Sequence, residues 1–178
     1  MHTTLAANPL ARPSLFQAVA RIVDRAITLL SRIPHSFIAL LARFSLAMTF
    51  WLSGQTKVEG FVVDPIGRTV SLGVPHLSEN ALELFRTDYA LPLLPPDVAA
   101  LLAATAEHVF PILLLLGLAT RFSALALLGM TLVIQLFVYP DAFPTHGLWA
   151  AAMLYLMARG PGVVSLDHLV ARRFRATA

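Results

Sequence analysis

Two ionisable residues lie near the middle of two long apolar stretches, where a side-chain charge is costly. Arg43 lies within the apolar run 37–52, and Glu107 lies within the run 98–117. A charge at the centre of a bilayer costs roughly 3 kcal/mol on insertion scales and more than about 10 kcal/mol in simulations. Such residues are usually paired, and an ionisable residue at this depth is by default a candidate functional residue.

The depths of these two residues predict that they are partners. In antiparallel spans Arg43 lies about 3 Å from the midplane, at about 1.5 Å per residue, and Glu107 lies at nearly the same level. We therefore predict a bidentate Arg43–Glu107 ion pair, either a structural pair that fixes helix register or a functional one. His108 adds another intramembrane polar group. No second histidine lies at the midplane, so the sequence does not predict a bis-histidine haem.

A second polar cluster is predicted where three of the spans end. Its members are Gln135, Tyr139 and His146, with Trp51 and Gln55 at the end of the first span. An aromatic-rimmed pocket with hydrogen-bonding groups suits a quinone headgroup or a similar amphiphile. Anchoring of Trp and Tyr at the membrane interface is the alternative interpretation.

Methionines at helical spacing leave a copper site open as an alternative. Met153 and Met157 follow His146, and Met48 and Met130 lie in other spans. A His/Met set can bind Cu(I). Methionine more often fills irregular gaps in a core, so no metal site is predicted.

The composition is that of a membrane protein. Of 178 residues, 57% are hydrophobic and only 13% are charged, against about 25% charged in soluble domains. The mean hydropathy is +0.74. The absence of cysteine excludes disulfides, thiolate nucleophiles and cysteine-ligated iron–sulfur clusters. Arginines precede the first apolar run and no small-residue cleavage site follows it, so no signal peptide is expected.

The pattern predicts an all-α membrane protein, a bundle of four transmembrane helices. An N-terminal segment 1–35 carries an amphipathic interfacial helix over 13–33. The four-helix domain covers 36–170, and a basic cytoplasmic tail covers 171–178. The spans are placed at about 36–54, 97–118, 121–139 and 145–158. One structured extracytoplasmic loop, 55–96, contains a β-hairpin, a short helix after Ser78, and an apolar segment 89–96 folded over the bundle mouth.

The distribution of basic residues predicts the orientation. If both termini share a side, nine basic residues lie on that side and three on the other. The excess places both termini of this multi-pass protein in the cytoplasm, and the composition suits a bacterial inner membrane. The three on the outer side are Lys57, Arg68 and Arg86. The basic residues are spread over segments rather than clustered on one face, so nucleic acid is not expected as a partner.

Several motifs, in order, resemble the DoxX family of small bacterial integral membrane proteins. Arg43 is followed by the segment 53–57 (SGQTK) at the end of span one, and Glu107 is followed by 116–121 (LGLATR) after span two. The segment 160–167 (GPGVVSLD) resembles the closing motif of the family. The resemblance covers about 36–170 and implies four membrane helices with both termini in the cytoplasm. The outer loop is longer than is usual in the family, and His108 stands where members often have glycine.

The resemblance also implies a membrane subunit of an oxidoreductase assembly, quinone-linked in some members, or a redox-stress partner. We interpret the chain as a non-catalytic or accessory subunit of a redox system, with a quinone as the candidate cofactor and with a protein partner or a second copy in the bilayer. The absence of cysteine, a flavin motif and a complete metal site disfavours an enzyme acting alone. The alternatives are an accessory for transport or copper homeostasis, and a scaffold that binds partners through its N-terminal helix.

Overall fold

The computed structural model describes residues 15–89 and 91–176, and these are mostly helical. Parts of three predicted segments lie outside them: residues 1–14 of the N-terminal segment with its amphipathic helix, residue 90 of the apolar segment, and residues 177–178 of the tail. The elements in chain order are α1 (Leu15–Leu30), α2 (His35–Gln55), β1 (Val58–Asp64), β2 (Thr69–Leu77), α3 (Glu79–Thr87), α4 (Pro96–Leu116), α5 (Thr120–Phe137), a 3-10 turn (Pro140–Ala142), α6 (Phe143–Arg159) and α7 (Leu166–Ala176).

Helix α1 belongs to a unit separate from residues 35–178. Its apolar residues recur at helical spacing on one face, with Arg21 and Arg25 on the other. None of its residues is buried, and Leu15 and Phe16 are exposed over more than four-fifths of their surface. The helix therefore has an apolar face that its own unit does not cover.

Three helices of the second unit are long and apolar enough to cross a membrane: α2, α4 and α5. Their bounds lie within two residues of the predicted spans. The fourth predicted span coincides with α6, whose 17 residues make it the shortest of the four. Helices α4 and α6 have proline in their first turn. Proline is favoured there because it has no N–H, and the N–H groups of a first turn have no partner within the helix.

Helices α2, α4, α5 and α6 pack around one core. Helix α2 contacts α4 and α6, and α5 contacts the same two. The core includes Leu46 and Phe50 from α2, Leu114 from α4, Leu127 from α5 and Met153 from α6. Gly54 allows α2 to approach α4 closely, because a Cβ there would lie 2.9 Å from the His108 ring.

The segment between α2 and α4 forms an antiparallel hairpin followed by α3. Strands β1 and β2 pair with each other, and a bulge interrupts the register between Glu59 and Phe61. The turn is stabilised by Asp64, whose Oδ1 accepts hydrogen bonds from the Ile66 and Gly67 amides. Ser78 caps α3, as its position before the predicted helix suggested. We call this end of the domain the hairpin end.

The opposite end carries α7, a helix that the sequence analysis did not predict: it assigned residues 166–170 to the four-helix domain and 171–178 to a basic tail. Asp167 fixes the start of α7, because its carboxylate accepts hydrogen bonds from the amides of Ala119 and Thr120 at the start of α5. Its own amide donates to the Gly117 carbonyl. We call this end of the domain the α7 end.

Candidate functional site

Helix α2 places Arg43 and Ser53 on the side that faces α4. Its buried positions Ala39, Arg43, Leu46, Phe50 and Gly54 recur at three- and four-residue intervals, which form one face of a helix. Arg43 lies toward the start of this face and Ser53 toward its end. Arg43 and Ser53 therefore lie toward opposite ends of the domain.

Arg43 does not pair with Glu107, so the predicted ion pair is wrong. The guanidinium is 2% exposed and donates only to carbonyl oxygens: Nε to Leu114 (2.7 Å), Nη2 to Leu115 (2.8 Å), and Nη1 to Pro161 (3.0 Å) and Val164 (2.7 Å). The last carbonyls of α4 lack partners within the helix, and a positive charge is stabilised beside them.

The depth argument failed because it ignored the direction of the side chains. In an α-helix each side chain leans toward the helix N-terminus. Arg43 therefore leans toward the α7 end, and Glu107, on the antiparallel α4, leans toward the hairpin end. Although their Cα atoms lie at nearly the same depth, the two charged groups therefore point toward opposite ends of the domain.

Lys57 is the partner of Glu107. Lys57 Nζ lies 2.6 Å from Glu107 Oε2, and the two side chains are 10% and 3% exposed. This contact is a buried ion pair between the ammonium and the carboxylate. Ser53 connects the pair: its hydroxyl donates to Glu107 Oε1 (3.0 Å) and accepts from Lys57 (3.1 Å).

This ion pair borders a cavity of about 340 Å³ at the hairpin end. Apolar side chains of α2, α4, α5 and α6 form most of the wall, and the segment after α3 contributes Leu91 and Leu94. Seven polar residues also line it: Thr49, Ser53, Lys57, Tyr89, Glu107, Tyr139 and His146. The cavity has the size and the largely apolar lining of a small-molecule site with a few convergent polar groups.

His146 enters this wall in a defined hydrogen-bonding state. Its Nδ1 lies 2.7 Å from Gln135 Oε1, and the Gln135 amide nitrogen donates to the Pro140 carbonyl. The Gln135 oxygen therefore accepts from Nδ1–H, so the neutral ring keeps Nε2 as its acceptor. Trp149 packs against the same ring, with centroids 5.1 Å apart.

Two tyrosines close the cavity beside His146. The hydroxyls of Tyr89 and Tyr139 lie 3.1 Å apart, and the rings meet edge to face. Burial, and then the hydrogen bond to Tyr139, raises the pKa of Tyr89 above its ordinary value. One hydroxyl donates to the other, so one O–H of the pair remains available to a bound molecule.

The predicted pocket is thus divided between two sites. Tyr139 and His146 line the cavity and Gln135 supports His146, whereas Trp51 and Gln55 lie on the side of α2 that faces the hairpin. There the Gln55 side chain accepts from the Val63 amide and donates to His108 Nε2 (2.8 Å). His108 in turn donates from Nδ1 to the Ala104 carbonyl.

Trp51 completes this link by donating to the Val63 carbonyl. Trp51 and His108 line a second, more open groove of about 500 Å³. In this arrangement His108 is a fully bonded neutral side chain that attaches the hairpin to α4.

Sequence reasoning placed Lys57 beside Gln55 at the end of span one but left it out of the candidate pocket, and it assigned Tyr89 to the outer loop. Lys57 is three residues beyond Gly54, so it continues the α2 face that carries Ser53, and this spacing was the available signal. Tyr89 gave no such signal because it lies in an irregular segment. The copper alternative gains no geometry: Met153 is fully buried in the core, and no group of three or more His, Asp or Glu residues able to hold a metal occurs within 15–89 and 91–176.

The apolar helices and their buried charges define the chain as a helical membrane protein. The DoxX family model matches residues 38–140, more than half of the chain. The chain therefore belongs to the DoxX family. It is also 28% identical over 141 residues to an uncharacterized protein of Haemophilus influenzae, covering 74% of this chain and 82% of that protein. No solved structure matches the chain significantly.

Proposed function

We propose that this DoxX protein is an accessory subunit of a bacterial inner-membrane redox system that binds a quinone headgroup in the cavity at the hairpin end. The observation that carries the proposal is the cavity itself. It is mostly apolar, it is lined largely by α2, α4 and α5, which are long enough to cross a membrane, and it carries a tyrosine pair and a histidine on one side. A quinone enters such a site from the bilayer, where it is dissolved.

The polar groups match both redox states of a quinone ring. The free O–H of the Tyr89–Tyr139 pair can donate to a quinone carbonyl. His146 Nε2 can accept from a quinol hydroxyl, because Gln135 holds the proton on Nδ1. A hydrogen-bond donor and a hydrogen-bond acceptor on neighbouring elements favour a ligand whose oxygens are carbonyls in one redox state and hydroxyls in the other.

The charges favour a neutral ligand over an ion. Lys57 and Glu107 neutralise each other at 2.6 Å, so no unpaired charge within the described lining attracts an anion or a cation. A neutral amphiphile instead gains from the apolar wall, at about 25 cal/mol per Å² of buried apolar surface.

Photolabelling with an azido-quinone tests the proposal on full-length protein in lipid nanodiscs. We expect labelled peptides from the end of α5 and the start of α6, and loss of label when unmodified quinone competes. His146→Ala removes one hydrogen bond to the ligand, about 1 kcal/mol, and so weakens competition several-fold. His76→Ala is the matched control, because His76 lines the other groove. Label spread over all lipid-facing helices, or equal competition in His146→Ala and His76→Ala, would refute quinone binding here.

We further propose that α6 is the fourth span, so that α2, α4, α5 and α6 form a transmembrane four-helix bundle with both termini in the cytoplasm. The excess of arginine at the α7 end supports this orientation. The exposed apolar face of α1 supports a position in the membrane interface. Single cysteines introduced into this cysteine-free chain test the topology: we expect membrane-impermeant thiol reagents on whole cells to label the hairpin and spare α7. The reverse labelling would invert the orientation.

A further inference from the structure

An apolar surface is exposed at the α7 end of the domain. It consists of five residues of the loop before α7 and of α7 itself, with exposed fractions between 37% and 59%. These are Val163, Val164, Leu166, Leu169 and Val170. We call them the α7 patch. On helix α7, Leu169 and Val170 lie on the same side, and Arg175 lies on the other.

The α7 patch is held firmly against the ends of two spanning helices. Arg43 binds the carbonyls of Pro161 and Val164 in the loop, and the carbonyls of α4 with the same guanidinium. Asp167 binds the first amides of α5. The patch is thus fixed at the level where α4 ends and α5 begins. In a bilayer this level is the boundary between hydrocarbon and headgroups.

Positive charge surrounds the patch. Five exposed arginines lie between 117 and 121 or between 159 and 176: Arg121, Arg159, Arg172, Arg173 and Arg175. The one acidic residue in these two segments is Asp167, and its carboxylate is occupied by the α5 amides. These two segments therefore carry a net positive charge.

We propose that the α7 patch and its arginines form a binding surface for anionic phospholipids of the bilayer that the protein spans. The apolar side chains reach the upper part of the acyl chains, and the arginines bind the phosphates beside them. Clusters of four to eight basic residues next to a spanning helix are typical of anionic-lipid recognition. A water-soluble acidic protein would leave the apolar patch in contact with solvent, whereas a lipid satisfies both features.

An environment-sensitive fluorophore on α7 tests this proposal in full-length protein. The chain has no cysteine, so Val170→Cys places the fluorophore alone in the patch. Ala171→Cys is the matched control, one residue along and about 100° around the helix. Each labelled protein is placed in phosphatidylcholine nanodiscs with increasing fractions of phosphatidylglycerol. We expect a blue shift at position 170 that grows with phosphatidylglycerol, and a smaller one at 171.

Charge removal identifies the headgroup contribution. At about 1 kcal/mol per arginine, or about fivefold in affinity, Arg172→Gln with Arg175→Gln should raise the phosphatidylglycerol fraction needed for half of the shift by about one order of magnitude or more. Both side chains are exposed, so the variants retain the fold, which circular dichroism verifies. The proposal is wrong if position 170 stays water-exposed in every bilayer, or if its emission is the same with and without phosphatidylglycerol.

Discussion

The buried pair of Lys57 and Glu107 predicts a strong coupling between two substitutions. Glu107→Gln removes the counter-charge from a lysine that is 10% exposed, and Lys57→Met leaves a carboxylate that is 3% exposed with Ser53 alone. Breaking a buried ion pair typically costs about 3–5 kcal/mol, because the remaining charge is buried without a partner. Ser53 continues to bond either survivor, so we expect the low end, about 3 kcal/mol for each single variant.

The double variant should recover most of this loss. Met and Gln together leave no buried charge, and replacing both members of a buried pair is often nearly neutral. We expect Lys57→Met with Glu107→Gln to cost no more than either single change, which gives a coupling energy of at least about 3 kcal/mol. At about 2–4 °C per kcal/mol for a chain of this size, each single variant should lower the melting temperature by roughly 6–12 °C.

Thermal unfolding of the purified protein in detergent measures the four states of this cycle. The matched control is the ion pair of Arg86 and Asp97, which has an N–O distance of 3.1 Å but is 49% and 69% exposed. Its cycle should give less than about 0.5 kcal/mol, since exposed pairs are screened by water. Additive effects of the Lys57 and Glu107 substitutions would refute the reasoning. A stable double variant also separates architecture from function, because quinone labelling can then be measured on folded protein.

Three further predictions concern the two ends of the domain. Gly117→Ala should cost more than about 2 kcal/mol in thermal unfolding, because Gly117 has φ +66° and its new Cβ would lie 2.8 Å from Arg43 Cζ. The control is Gly129→Ala, whose Cβ meets nothing within 4 Å and which should be neutral or stabilising by up to about 1 kcal/mol. Equal losses of stability in the two variants would contradict the prediction. The free energy of unfolding should fall above about pH 10, because burial raises the pKa of Tyr89 and only the unfolded chain then loses the phenolic proton. Melting curves of Tyr89→Phe should show a weaker fall with pH. The same fall in Tyr89→Phe as in the unchanged protein would exclude Tyr89 as its source. His108→Leu removes the acceptor for Gln55, so amide hydrogen exchange in β1 should rise by about tenfold for a loss of about 1.4 kcal/mol, and unchanged exchange would show that the hairpin is held by other contacts.

The sequence predicted the elements of the membrane domain well because their signals are local. Hydropathy placed α2, α4 and α5 within two residues, and Ser78 marked the start of α3. The hydrogen-bond and ion-pair partners of buried polar groups were harder to predict, because they depend on side-chain direction and on loops that fold back onto the domain. The carbonyls that bind Arg43 come partly from Pro161 and Val164, more than a hundred residues away. No periodicity in α2 encodes that contact.

The two charged residues near the middle of α2 and α4, Arg43 and Glu107, separate the architecture of the chain from its candidate chemistry. Arg43 donates four of its five N–H groups to backbone carbonyl oxygens, and it is not among the residues that line the cavity. Glu107 is different: its carboxylate lines the cavity, and Oε2 meets only the charge of Lys57. A substitution at Arg43 should therefore loosen the α7 end and leave the cavity walls in place. If Arg43→Met instead abolished quinone labelling in protein that still unfolds cooperatively, the two ends would be coupled, and Arg43 would have to be treated as part of the site.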